Sequence, residues 1–315
     1  MRQRRLALVV LLTVANVVVG IAPPVSAVPG GNGTIAFLRL RSLSYRDDRT
    51  IFTIAPDGSD VTPLAEGTYS PPVWSPDGTQ MAFVLFRKNR NAELQIANAD
   101  ATDVVTVLAP QDLPDGLHPS GDIAWMPDGQ HLVVGMNENE LDAGDLFVVG
   151  VDGTNLTRLT ARSRYVIGPA VSNDGSTIAV SWLDGSARFR LTLMDVDASD
   201  RRVLDLGLEW AEALDPDWAP DDSAIVFALY DGQQTDLYTI APDGSALTQI
   251  TDTPTRWEWD PVFSPDGTLI AYERGGRDYR PTDLFTISVE GGTRRRLTDT
   301  PERWETGPSW QRILG

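Results

Sequence analysis

Along most of this chain apolar and polar residues partly alternate in short runs, and each run ends in a turn signal. A period of two puts successive side chains on opposite faces, so these runs predict half-buried β-strands rather than helices. Residues 261–264, 269–273, 283–288 and 294–298 form one set of four such runs. The first two flank Ser264-Pro265-Asp266-Gly267-Thr268. Proline presets φ for the second position of a turn, aspartate bonds its own backbone and glycine accepts the left-handed position, so this segment reads as a hairpin.

The set recurs at intervals of about 47 residues, a period that marks propellers or solenoids. Clear copies of the hairpin motif are PPVWSPDGT at 71–79, PDWAPDD at 216–222 and PVFSPDGT at 261–268. IAWMPDG at 123–129, PAVSNDG at 169–175 and a truncated PSW at 308–310 are weaker copies. The apolar anchor of each copy is Trp74, Trp125, Val171, Trp218, Phe263 or Trp310. A second turn follows inside each copy, as in APDGS at 55–59, VDGT at 151–154 and APDGS at 241–245.

Four antiparallel strands repeated around a ring make a β-propeller. The repeats open in mid-unit, with residues 32–37 matching a second strand, and stop after a lone first strand at 308–311. The expected fold is therefore all-β: a six-bladed propeller of four-stranded antiparallel blades, closed by pairing of the C-terminal strand with the N-terminal three. Closure of this kind leaves no bare sheet edge.

These repeats resemble those of the TolB propeller family, whose pattern PxWSPDGxxIAF is met by Trp74-Ser75-Pro76-Asp77-Gly78 with Met81-Ala82-Phe83. It is met again by Phe263-Ser264-Pro265-Asp266-Gly267 with Ile270-Ala271-Tyr272, and the family's Leu-Thr endings recur at Leu159-Thr160 and Leu297-Thr298. The resemblance covers residues 32–311 and implies the fold. It implies several functions at once, since such repeats serve periplasmic adaptors, peptidase gating domains and sugar-processing enzymes. The extra N-terminal α/β domain of TolB is not expected here, because the repeats begin close behind the leader.

That leader is residues 1–27. Arg2, Arg4 and Arg5 precede an apolar run at 6–21, and Val25-Ser26-Ala27 supplies the small residues of a cleavage site, so a secreted chain of residues 28–315 is expected, periplasmic, at the cell envelope or extracellular. No membrane insertion of the mature chain is expected. The chain has no cysteine, which excludes disulfides, thiolate metal sites and cysteine catalysis. Its formal net charge is −18, which disfavours nucleic acid and anionic lipid and suits cations or basic partners.

In an up-and-down blade the Asp-Gly turns share one face, and the opposite face collects the long loops at 38–50, 85–92, 135–144 and 275–282 and the insertion at 110–121. That loop face also receives the segments leading into each first strand. TDTPTRWEWDPVF at 251–263 is echoed by TDTPERWETGPSW at 298–310. The candidate ligand-binding residues are accordingly Tyr165, Trp210, Trp257 and Trp304, interleaved with Asp215, Glu258, Asp260 and Glu305. Aromatic faces beside carboxylates stack on sugar rings, hold a cation or hold a basic peptide.

Catalytic signatures are missing: there is no G-x-S-x-G elbow and no H-E-x-x-H, and the only histidines are His118 and His131. No catalytic residue, metal ligand or cofactor is assigned, although calcium or another divalent cation in an acidic channel would suit the charge. The expected function is a monomeric, secreted, non-catalytic scaffold that binds a protein partner or small ligand on its loop face. The alternative is a carbohydrate-binding or carbohydrate-active protein that uses the Trp and Glu collar.

Overall fold

A computed structural model describes residues 30–41, 49–67, 69–87, 91–114, 116–138, 144–160, 165–208, 210–276 and 281–314. The leader, Glu209 and the centres of several long loops lie outside these residues. The described chain is an all-β propeller of four-stranded antiparallel sheets. Its strands follow one another as β1 Gly31–Leu40, β2 Arg49–Ile54 and β3 Thr62–Gly67, then β4 Val73–Trp74, β5 Gln80–Phe86, β6 Ala92–Asn98 and β7 Val105–Leu108. Next come β8 His118–Trp125, β9 His131–Asn137, β10 Asp145–Gly150 and β11 Thr157–Arg158, and then β12 Val166–Val171, β13 Thr177–Leu183, β14 Phe189–Asp195 and β15 Arg202–Val203. The chain continues through β16 Glu212–Trp218, β17 Ile225–Tyr230, β18 Thr235–Ile240 and β19 Thr248–Gln249 to β20 Arg256–Phe263, β21 Leu269–Gly276, β22 Asp283–Ser288, β23 Arg295–Arg296 and β24 Trp304–Ile313.

Hydrogen bonding joins these strands into 4-stranded sheets of order β24-β1-β2-β3, β4-β5-β6-β7, β8-β9-β10-β11 and β12-β13-β14-β15. The C-terminal strand β24 therefore completes the first sheet, pairing from Gly31↔Ile313 to Leu40↔Trp304. The last two sets differ from the separate sheets expected: β16 to β23 form one 8-stranded sheet. The physical reason is a single parallel bridge, Thr235↔Trp257, made where the start of β20 runs beside β18.

The hairpin motif closes as a side-chain clasp. Asp77 Oδ1 accepts from the Thr79 N–H at 3.0 Å and from the Ser75 hydroxyl at 2.6 Å, while Ser75 Oγ accepts from the Gln80 N–H at 3.0 Å. Ser264, Asp266 and Thr268 repeat the pattern. In the copy that ends Asp-Asp, Asp222 occupies the left-handed position at φ 59°, and its carboxylate accepts from the Asn173 N–H of the preceding sheet at 2.7 Å. One departure from the glycine consensus thus becomes a tie between sheets.

The apolar core lies between consecutive sheets rather than in one centre. Trp74 packs with Leu38 and Phe83, Trp125 with Leu94 and Val134, and Trp310 with Phe37 and Leu284. Trp125 Nε1 donates to Val73 O at 3.0 Å and Trp218 Nε1 to Ala170 O at 3.1 Å, so these two anchors satisfy their polar ends on the neighbouring inner strand.

Candidate functional site at the channel and the loop face

The inner strands β4, β8, β12, β16, β20 and β24 surround a cavity of about 750 Å³. Its lining includes Pro76, Pro127, Asp174, Pro220 and Pro265, so it opens among the Asp-Gly turns. Each inner strand from β8 onward bulges where a residue precedes proline or its replacement. The residue at the bulge has positive φ: Gly121 at 105°, Gly168 at 59°, Asp215 at 51°, Asp260 at 47° and Gly307 at 59°. Glycine adopts this conformation without a Cβ penalty, whereas aspartate accepts a cost of about 1 kcal/mol. Two adjacent repeats therefore place carboxyls where three others have Gly121, Gly168 and Gly307.

Those carboxyls do not stand alone. Asp215 meets Asp260 both through the Asp260 N–H and side chain to side chain. Glu273 on β21 also meets the Asp260 side chain. Asp122, which follows Gly121 where other repeats have proline, accepts from Ser120 Oγ at 2.6 Å and from the Gly168 N–H at 3.3 Å. Burial, then the neighbouring Asp260, holds the Asp215 and Glu273 carboxyls well above the usual carboxylate range. Burial likewise raises Asp122 and pushes Asp217 up to about 7, although Asp217 accepts from the Phe263 N–H at 2.7 Å. Nothing in composition singled out Asp122, Asp217 or Glu273. The Gly121-Asp122 pair, set against Gly168-Pro169 and Gly307-Pro308, was the available signal.

The eight residues selected from sequence fall into three environments. Asp215 and Asp260 occupy the channel bulges. Glu258 and Glu305 have no solvent exposure. Glu258 lies 3.2 Å from Arg274 Nε and 3.8 Å from Arg294 Nε, and Glu305 accepts from Arg39 Nε at 2.7 Å and from the Thr300 hydroxyl at 2.9 Å. Burial still raises both carboxyls, against the pull of Thr251 and two arginines on Glu258 and of Thr298 and Arg39 on Glu305. Trp257 is half-buried and meets Trp259 edge-on at 5.3 Å, and Trp304 is half-buried against the seam holding Leu38 and Trp74. Only Trp210, 67% exposed, and Tyr165, 38% exposed, present large ring area to solvent. The Arg188 guanidinium, which sequence reading missed, lies 4.1 Å above the Trp210 ring.

The turn aspartates form an anionic face. Hydrogen bonds from the Ser59, Thr102 and Thr154 hydroxyls hold Asp57, Asp100 and Asp152 below the usual range. Among the described residues no group of three or more His, Cys, Asp or Glu side chains has a geometry that holds a metal ion. His131 Nδ1 lies 2.7 Å from Asp128, while His118 Nδ1 faces the Gly116 carbonyl at 3.2 Å.

The TolB beta propeller domain matches residues 35–252 and 145–312. The chain belongs to this family. It is 28% identical over 155 residues to a TolB homolog of Chlorobium luteolum, a match covering 48% of this chain and 34% of that protein. It is 24% identical over 213 residues to the uncharacterized peptidase YuxL of Bacillus subtilis, covering 68% of this chain and 30% of that protein. The matched part is thus about a third of the length of these curated relatives. The crystal structure of TolB from Acinetobacter baumannii superposes with a TM-score of 0.73 at 15% identity, covering 89% of this chain and 66% of that one. That likeness shows the fold. Members with and without enzymatic names share it, so the family alone does not decide catalysis. No helix among the described residues is long and apolar enough to cross a membrane.

Proposed function

We propose that this chain is an exported, non-catalytic propeller of six blades that binds a protein partner on its loop face, at the edge formed by Tyr165, Arg188 and Trp210. Six apolar seams support the blade count: each joins strands of consecutive four-strand sets, and the last joins β21 and β22 to β1 and β24. The 8-stranded sheet is then two blades touching at one bridge.

The observation that carries the binding reading is the exposed indole of Trp210 under a guanidinium. Aromatic and arginine side chains are enriched at the centres of protein interfaces, where they supply large contact area with a fixed polar edge. Tyr165 and Leu208, also exposed, lead into neighbouring inner strands on the same face. A photoreactive residue at position 210, introduced in the producing cell, should give a discrete protein adduct that weakens when Arg188→Ala is added. The same probe at Asp221, on the turn face, should give none. Adducts from position 221 alone would reject the loop face, and retention of purified polysaccharide by the wild type but not by Trp210→Ala would replace the protein partner with a sugar.

Export rests on the leader, which lies outside the described residues, and on the family's TolB members. Mass spectrometry of the exported protein should find Val28 first, following cleavage after Ala27. A mature chain that begins at Met1 would count against export by a cleaved leader.

A further inference from the structure

We propose that Asp215, Asp260 and Glu273 form a proton-sharing carboxyl chain that fastens neighbouring blades across the channel, so that cohesion of the ring depends on its protonation. The chain runs from β16 through the bulge of β20 to β21 and ends against Thr306 of β24, which donates to Asp260 at 3.3 Å and also bonds Glu273. Ionised carboxylates only accept hydrogen bonds. A side-chain hydrogen bond from Asp215 to Asp260, or from Asp260 to Glu273, therefore requires a proton on one partner of each pair.

Two features make the contact a built one. Asp215 and Asp260 hold left-handed backbone conformations that glycine fills at 121, 168 and 307, and both line the channel from adjacent inner strands, where their side chains meet. A Cβ on Gly168 would lie 3.6 Å from Asp215 Oδ1, so the same carboxyl lies beside β12 as well. Glu273 sits opposite Trp259, beside the bulge, and is almost fully buried.

The neighbouring charges do not neutralise the chain. From β8 comes Asp122, a further carboxyl, with the Ser120 hydroxyl; β12 offers the Gly168 amide, which Asp122 takes. On β16, Asp217 is turned to the Phe263 amide. Arg274 follows Glu273 but points to Glu258, and Arg39 across β24 pairs with Glu305. The leading influences on Asp122, Asp215 and Glu273 are burial, other carboxyls and neutral hydrogen bonds. Protons are thus the available counter-charge.

Groups whose folded pKa is raised contribute stability that is complete below their unfolded pKa and disappears as pH rises through the folded value. The Tm of the full exported chain, in buffer containing a chelator, should therefore fall by several degrees between about pH 5 and about pH 9. Asp217 adds a contribution of the same sign near 7, so the series is run in an Asp217→Asn background. There, Asp260→Asn and Glu273→Gln, which keep a hydrogen-bonding group and remove a carboxylate from the chain, should flatten the alkaline limb and raise Tm at the alkaline end. An unchanged limb in both variants would overturn the proposal. Carboxyl ¹³C titration of the Asp217→Asn protein gives the second reading without further substitution: Asp215 and Glu273 should ionise well above the ordinary range. Ionisation of both within that range would equally overturn it.

Discussion

Removing residues 308–315 should abolish the cooperative native transition. In the intact protein β24 is the inner strand of the first sheet and pairs with β1 along its length. Trp310 packs against Ile35 and Phe37, the Ser309 hydroxyl accepts from the Trp74 N–H at 3.0 Å, and Gln311 donates to Gly78 O at 2.8 Å. The deletion thus opens two seams and strips one edge of β1. Loss of a buried tryptophan alone costs about 3–5 kcal/mol. The larger part of an inner strand with its ladder exceeds that and approaches the 5–15 kcal/mol that holds a typical domain together. Urea or thermal denaturation of the truncated protein should show no native baseline, or a broad transition far below the wild type. A truncated protein that melts like the intact one would disprove closure through β24.

The second large effect is expected from Arg39→Met. Glu305 is wholly buried and relies on Arg39 for its only cationic contact among the described residues. Removing one partner of a buried pair leaves an uncompensated charge, which costs about 3–5 kcal/mol. The lower figure applies here, because Arg39 is itself partly exposed and the Thr300 hydroxyl still serves the carboxylate. Methionine retains packing against Phe52, over whose ring the guanidinium lies at 4.3 Å. Burial already raises the Glu305 carboxyl in the wild type, and loss of the guanidinium raises it further. The stability deficit of the variant should therefore be largest at neutral pH and shrink as the pH is lowered through the range in which the carboxyl gains its proton. A deficit that is the same across that range would mean that lost packing, not charge, is responsible.

The strand pattern and turn chemistry were legible in sequence because both are local. Residues 283–288 read as a strand and form β22 with the same bounds. The Ser-Pro-Asp-Gly turns close through contacts no more than five residues apart. The 294–298 run shortens to Arg295–Arg296, while the 261–264 run lengthens to Arg256–Phe263. Those limits depend on the neighbouring strand. The separation of the last two sets was expected from their spacing, but the Thr235↔Trp257 bridge joins them, and no periodicity encodes a contact between backbones of different repeats.

The candidate site was legible as a set of residue types and not as a surface. Glu258 and Glu305 share a motif with Trp257 and Trp304, yet burial and arginines from other strands set their roles. Trp210 shares the same repeat phase and stays exposed, because its segment extends beyond the start of β16 instead of lying within the sheet.

By itself the sequence determined the repeat, the strand alternation, the turn clasps and the anionic character of the turn face, since each follows from the period and from contacts within a few residues. Tertiary structure alone decided which carboxyls meet. Asp215, Asp260 and Glu273 come together because two bulged inner strands and β21 converge on one channel, where burial and mutual repulsion, rather than residue type, govern the protons of Asp215 and Glu273.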